Sequence, residues 1–461
     1  MAASLFALCV LLQTPAPSPA AAPPPQPEGQ FSVEKAAEAA DLLQRALGFR
    51  IKPIGFLATH TVLNTGSALP TAEAPFFARA GTRPFYTLGF SDSGAPFDVQ
   101  RGNPWKGAGS FLITPRQSRF GAELFLKLHP WVSARTVLEF DLWALYLPNI
   151  PPGINSGALR LRLAFVELGN QYLTLLAGQD LAPVSARYPL STAHLAVAAF
   201  TQAGFIWNRV PQIALTGALP LRLAFPGADN HALFATAAIV RPHSGDETSA
   251  AITPFDVPEA GAASLLPMLQ GRAGLRGKFL NAAVAALAGA ENHTLTDAKG
   301  NAVGRRFVDS WMVGADGRVG SDAVWVQGQA WVGSNLNGMF AMTGVRRYPH
   351  MDAAGVPIAG TLRSVHSLRA VGGWAQASAP IWAGKIAWVA GMGMENALDT
   401  DNVAFGERTT NVAFQELITF RVHKHVDFGL EAYHVVSHYK LRSGVQWAWN
   451  DSLSAMIRVG L

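Results

Sequence analysis

Residues 115–146, PRQSRFGAELFLKLHPWVSARTVLEFDLWALY, restrict the fold more than any other stretch. Two alternating runs meet at a tight break, His129-Pro130-Trp131. In the first run Phe120, Ala122, Leu124, Leu126 and Leu128 share one side, and Gln117, Arg119, Gly121, Glu123 and Lys127 share the other. In the second run Ala134, Thr136, Leu138, Phe140, Leu142 and Ala144 share a side, opposed by Arg135, Glu139 and Asp141. Side chains on a strand alternate with period two, so each run carries one apolar and one charged face. Runs of this length, with mixed charge on the polar face, suit a wall between lipid and a wet lumen.

Composition agrees with such a wall. Charged residues make up 15% of the 461 residues, against roughly 25% in an ordinary soluble domain. Hydrophobic residues reach 49% without forming a run long enough for a membrane-crossing helix after residue 13. The 44 glycines and 12 tryptophans suit barrel strands and interfacial girdles. The net charge of +5 is scattered, with no basic block of the kind that grips nucleic acid. The single cysteine, Cys9, sits in the apolar start, which leaves no disulfide framework and no cysteine metal site.

The N-terminal part reads as an address. Residues 4–12, SLFALCVLL, resemble the apolar core of a secretory signal, and Ser18-Pro19-Ala20-Ala21-Ala22 offers cleavage sites, so residues 1–22 are assigned as a signal peptide. Residues 23–31 form a Pro/Ala-rich linker. Residues 32–48 are expected to form a short periplasmic helix, with Ser32 as N-cap and Gly48 as stop. Its stripe of Val33, Ala36, Ala40, Leu43 and Leu47 fits either a short homotypic coiled coil or a lone helix packed on the barrel.

From residue 49 to 461 the pattern repeats. Strand candidates after the first hairpin include residues 158–168, 172–179, 211–219, 232–241, 268–275, 279–288, 305–313, 323–332, 364–378, 385–393, 409–421, 426–436 and 452–461, preceded by 51–64. Residues 221–225 are a weaker candidate. Short breaks, read at Gly314-Ala315-Asp316-Gly317 and His423-Lys424-His425, alternate with long ones such as residues 335–361. Outer-membrane barrels are built in this way, and the count comes to about sixteen. The expected fold is all-β: a transmembrane antiparallel β-barrel with a short N-terminal helix. Two long stretches, 71–109 and 181–209, lack clear alternation; the first could fold inward and narrow a pore.

Several pieces, in order and spacing, resemble the DcaP-like trimeric porins of Gram-negative outer membranes. They are Ile54-Gly55-Phe56-Leu57, Ser118-Arg119-Phe120-Gly121, Leu138-Glu139-Phe140-Asp141, Leu159-Arg160-Leu161-Arg162, Ala177-Gly178-Gln179 and Trp207-Asn208-Arg209-Val210-Pro211-Gln212. They cover roughly residues 51–215; the second half matches in pattern only. The resemblance implies a homotrimer in the outer membrane that passes small, often anionic, solutes. Barrels of this class usually end in an aromatic residue, whereas this chain ends in Leu461.

In a channel the chemistry lies in the charged lining. Alternation puts Arg119, Arg135, Arg160 and Arg162 inside, with Glu123, Glu139 and Asp141 beside them. Phe165 is expected with Leu161 and Leu163 on the opposite, apolar side. The seven charged residues read either as a basic ladder that passes small anions such as carboxylates, or as pairs that brace the wall. The pairs His423/His425 and His434/His438 have spacings compatible with metal binding, but no third ligand accompanies them, and solvated histidines are the simpler reading. No HExxH, GxSxG or GxxxxGK[ST] motif is present, and no enzyme activity or cofactor is expected. A secreted or periplasmic all-β ligand-binding protein is the alternative. It would bury the apolar rows in a closed core, and its strands would be nearer 5–6 residues than the 9–11 of membrane strands.

Overall fold

The computed structural model describes residues 49–65, 68–70, 75–78, 110–144, 158–185, 187–223, 231–243, 260–355, 358, 360–382, 384–404, 406–441 and 444–460. The assigned signal peptide, linker and helix lie outside the described residues, as does 71–109 apart from a short strand, Pro75–Ala78. Arg50–Leu461 form one contact-dense unit.

Seventeen strand segments join in one sheet. Two of them, Ser110–Thr114 and Arg119–His129, are halves of a single strand broken by a turn in which the Ser118 N–H donates to the Pro115 carbonyl (3.0 Å); both pair with the first strand. Sixteen strands result: β1 Phe49–Asn64, β2 Ser110–Thr114 with Arg119–His129, β3 Val132–Ala144, β4 Ala158–Gly169, β5 Leu173–Leu181, β6 Arg209–Pro220, β7 Ala232–Val240, β8 Met268–Arg276, β9 Leu280–Thr296, β10 Ala302–Gly320, β11 Trp325–Ser334, β12 Arg369–Trp382, β13 Ile386–Ala397, β14 Arg408–His423, β15 Val426–Leu441 and β16 Gly444–Gly460. Each pairs antiparallel with its sequence neighbours. β1 and β16 pair from Phe56↔Gly460 to Asn64↔Ser452, which closes the barrel and leaves no free edge.

One end of the barrel carries tight connections, and local side-chain chemistry makes several of them. Asn170 Oδ1 accepts from the Tyr172 and Leu173 amides (2.8 and 3.0 Å), an Asx-turn that starts β5. Ser321 Oγ does the same for Ala323 and Val324 ahead of β11 (3.3 and 3.1 Å). The other end carries long connections at 65–109, 145–157, 182–208, 241–267 and 335–368. Among outer-membrane barrels the short-turn end is periplasmic.

The zigzag sorts the two solvents. Leu57, Leu138, Ile213 and Val284 point outward and are 67, 42, 56 and 62% exposed. The apolar rows therefore do not fill a closed protein core, as the soluble alternative would require. Inward positions hold buried polar side chains, among them His60, Gln117, Asp141, Gln376, Glu395, Asn411 and Glu431.

Four local expectations are corrected. Gly314-Ala315-Asp316-Gly317 is no break: it lies within β10, paired on both sides, because small residues followed by one inward Asp still satisfy the alternation. Residues 364–378 split into a short strand, Ser364–Ser367, and the start of β12. Leu221–Leu223 forms a 3-10 turn instead of a strand. In β4 a register irregularity opposite Glu139/Phe140 adds a residue, so Phe165 turns inward and is buried, under the Arg135 guanidinium (5.4 Å).

Candidate functional site

Strand register gathers the seven charged residues into one patch. Arg119, Asp141 and Arg160 fall in one cross-strand row over β2, β3 and β4. All face the interior, and most are paired. Arg160 grips Asp141 with two bonds (Nε 3.0 Å, Nη2 2.6 Å), and Arg162 bridges Asp141 (2.8 Å) and Glu139 (2.6 Å). Arg135 pairs with Glu123 (2.5 Å) and lies 3.8 Å from Glu167. Arg119 stacks over Phe56 (5.3 Å) and donates to the Leu195 carbonyl. Asp141 and Arg162 are buried, whereas the side chains of Arg135 and Arg160 keep 37 and 29% exposure.

The partner of much of this patch is residues 182–208, which enter the barrel between β5 and β6. Val184, Ala196, Ala198, Ala199, Phe200, Phe205, Ile206 and Trp207 are almost fully buried. On one wall Gln117 accepts from the Leu195 and Ala196 amides (2.7 and 2.8 Å) and donates to Ala193 (2.6 Å), while Arg160 donates to the Ala196 carbonyl (2.9 Å). On the other, Trp331 donates to Gly204 (2.8 Å), Gln376 to Leu190 (2.7 Å) and Asn411 to Gln202 (2.7 Å). β3 and β11 lie half a circumference apart, so the segment crosses the lumen.

Two buried carboxylates fasten inward segments by their backbone. Glu431 on β15 accepts from the Thr192 and Ala193 amides (2.7 and 2.9 Å), the Ser191 hydroxyl (2.8 Å) and Gln415 (2.8 Å). Glu395 on β13 accepts from the Met342 and Thr343 amides (2.6 and 3.3 Å). The latter belong to residues 335–344, which also fold inward, and Phe340 stacks on Trp207 (5.0 Å). Both oxygens of Glu431 are satisfied in this way, as a buried carboxylate requires, whereas at Glu395 both amides go to Oε1 and Oε2 has no hydrogen-bond partner among the described residues.

No protein-family model matches the chain, and no curated protein matches it in sequence. Solved structures do match in shape. The outer membrane channel DcaP of Acinetobacter baumannii aligns with a TM-score of 0.59 at 14% identity, covering 90% of this chain and 97% of that one. An anion-selective porin from Comamonas acidovorans aligns at 0.51 and 12% identity, covering 90 and 100%. Outer-membrane expressed OmpT of Vibrio cholerae aligns at 0.50 and 7%, covering 90 and 98%. The fold is that of the porins.

Within this porin fold the histidines do not gather. The His423 and His425 rings lie 5.6 Å apart in a turn. His434 and His438 face outward, one bonded to Asp451 (2.5 Å) and the other stacked on Trp447 (4.0 Å). Among the described residues no group of three His, Cys, Asp or Glu is placed to hold a metal. Sequence reasoning missed the inward role of 182–208 in this porin barrel. Its signal was present: an apolar run without any period, from Ala193 to Trp207, which is too greasy for a solvated loop. The anchors Glu431 and Glu395 show in sequence only as single acids within apolar strands.

Proposed function

We propose that the chain is an outer-membrane porin through which small hydrophilic solutes diffuse passively, with a preference for anions such as carboxylates. The observation that carries this reading is a closed wall, apolar outside and charged inside, narrowed by a segment held across it. The lining consists of Arg119, Arg135, Arg160 and Arg162 with Glu123, Glu139 and Asp141. The bonds among them leave Arg135 and Arg160 as the guanidiniums that a passing solute meets. One matched structure is of an anion-selective porin, which agrees with this polarity.

The test is a planar bilayer. Purified protein should give stepwise conductance, and reversal potentials in a salt gradient should favour anions. Replacing Arg135 and Arg160 with Gln should move the reversal potential toward zero selectivity; an unchanged potential removes them from the lining.

We further propose a homotrimer. The outward positions of β2–β9 are almost wholly apolar, but β14–β16 present Glu416, His434 and Asp451 outward. Glu416 makes no hydrogen bond or ion pair among the described residues. Lipid is a poor neighbour for that face, and a protein neighbour is a better one.

A further inference from the structure

The channel reading leaves a second cationic cluster unused, on the opposite wall and toward the short-turn end. On β8, Arg272 and Arg276 face inward and both lie over the Phe234 ring of β7 (4.9 and 5.2 Å). On β10, Arg318 lies over the Trp325 ring of β11 (4.8 Å). The nearby acid, Asp316, is already engaged by Arg272 (2.7 and 2.9 Å) and by Arg187 of the crossing segment (3.1 Å). Arg276 and Arg318 make no ion pair with any described residue.

Register sets these two arginines, neither of them ion-paired to a described residue, in one row. Arg276 pairs with Asn281 of β9, and Asn281 pairs with Arg318 of β10, so the three form one row. With strands about 4.8 Å apart, the two arginine Cα atoms stand about 10 Å apart, a span that two arginine side chains can close around one oxyanion. The same row continues into Gln327 and Gln376, further amide side chains on the inner wall. Stacking on Phe234 and Trp325 orients the two cations, and among the described residues only one of their N–H groups is used, by Arg318 Nη2 donating to the Ser321 carbonyl (3.3 Å).

We propose that Arg276 and Arg318, flanking Asn281, form an anion site between the crossing segment and the short-turn mouth, which takes a carboxylate or phosphate group. Here a solute pauses beyond the narrowing and before leaving the barrel. This inference rests on the reading of the interior as a solute path, but it uses residues separate from Arg135 and Arg160.

The test is sided block in a planar bilayer, with inorganic phosphate or benzoate added to each side in turn. Wild-type current should fall with either anion from the short-turn side, and Arg276→Gln/Arg318→Gln should raise the half-blocking concentration about tenfold, as loss of charge-assisted bonds implies. Block by phosphate alone, or by benzoate alone, supports the site and assigns its anion. Absence of block in wild type, or equal block in the variant, overturns it. The Arg135→Gln/Arg160→Gln channel separates the two readings: unchanged selectivity with sided block intact removes the first and keeps this one. If the Arg276/Arg318 variant does not fold, wild-type protein is treated with phenylglyoxal. Phosphate should slow modification of both arginines, and equal rates with and without phosphate overturn the proposal.

Discussion

At the scale of single residues, carboxylates decide where the chain inside the barrel is held. Glu431 satisfies four donors on the crossing segment and one on β14 while fully buried. Removing it leaves those donors without partners in a dry site. Glu431→Ala should destabilise the protein by about 3 kcal/mol in denaturant unfolding and should raise single-channel conductance as the segment loosens. Outside the wall, the Arg369 guanidinium beside Asp399 (2.6 Å) holds that carboxyl below the usual range, and Asp399 ties residues 398–407 to β12. A depressed acid stabilises above the ordinary Asp value of about 4 and loses its effect as pH falls further. Hydrogen exchange in 398–407 should therefore quicken below about pH 4, and Asp399→Asn should show the fast rate at neutral pH.

At the scale of elements, the strands were readable and the inward segments were not. Alternation in 117–144 put Arg119, Glu123, Arg135, Glu139 and Asp141 on one face, and the register then paired them. A pattern of period two carries that information in every residue. It carries nothing about Phe165, whose direction is set by one added residue in β4, nor about 182–208, whose shape is dictated by the far wall. The contact there is backbone on backbone. Gly204 has φ +100°, and a Cβ on it would overlap the Gly373 carbonyl of β12, while one on Gly393 of β13 would overlap the Ala203 carbonyl. Gly393→Val should push the segment off this wall. Limited proteolysis within 196–207 should then become fast, while the barrel's far-ultraviolet signature stays unchanged.

At the scale of the whole molecule, the porin fold separates a wall that closes on itself from a crosspiece that depends on it. The outward Glu416, His434 and Asp451 set β14–β16 apart from the nearly all-apolar outward faces of β2–β9. Light scattering of the detergent-solubilised protein should give three chains per particle, and Glu416→Arg should lower that number. The crosspiece carries one more consequence. Its fastenings sit on Gln117 near the beginning of the wall and on Gln415 and Glu431 near its end. Residues 182–208 are therefore tied to strands from both ends of the chain. Full docking of this stretch needs both ends of the wall in place, so its protection from protease should report the finished barrel.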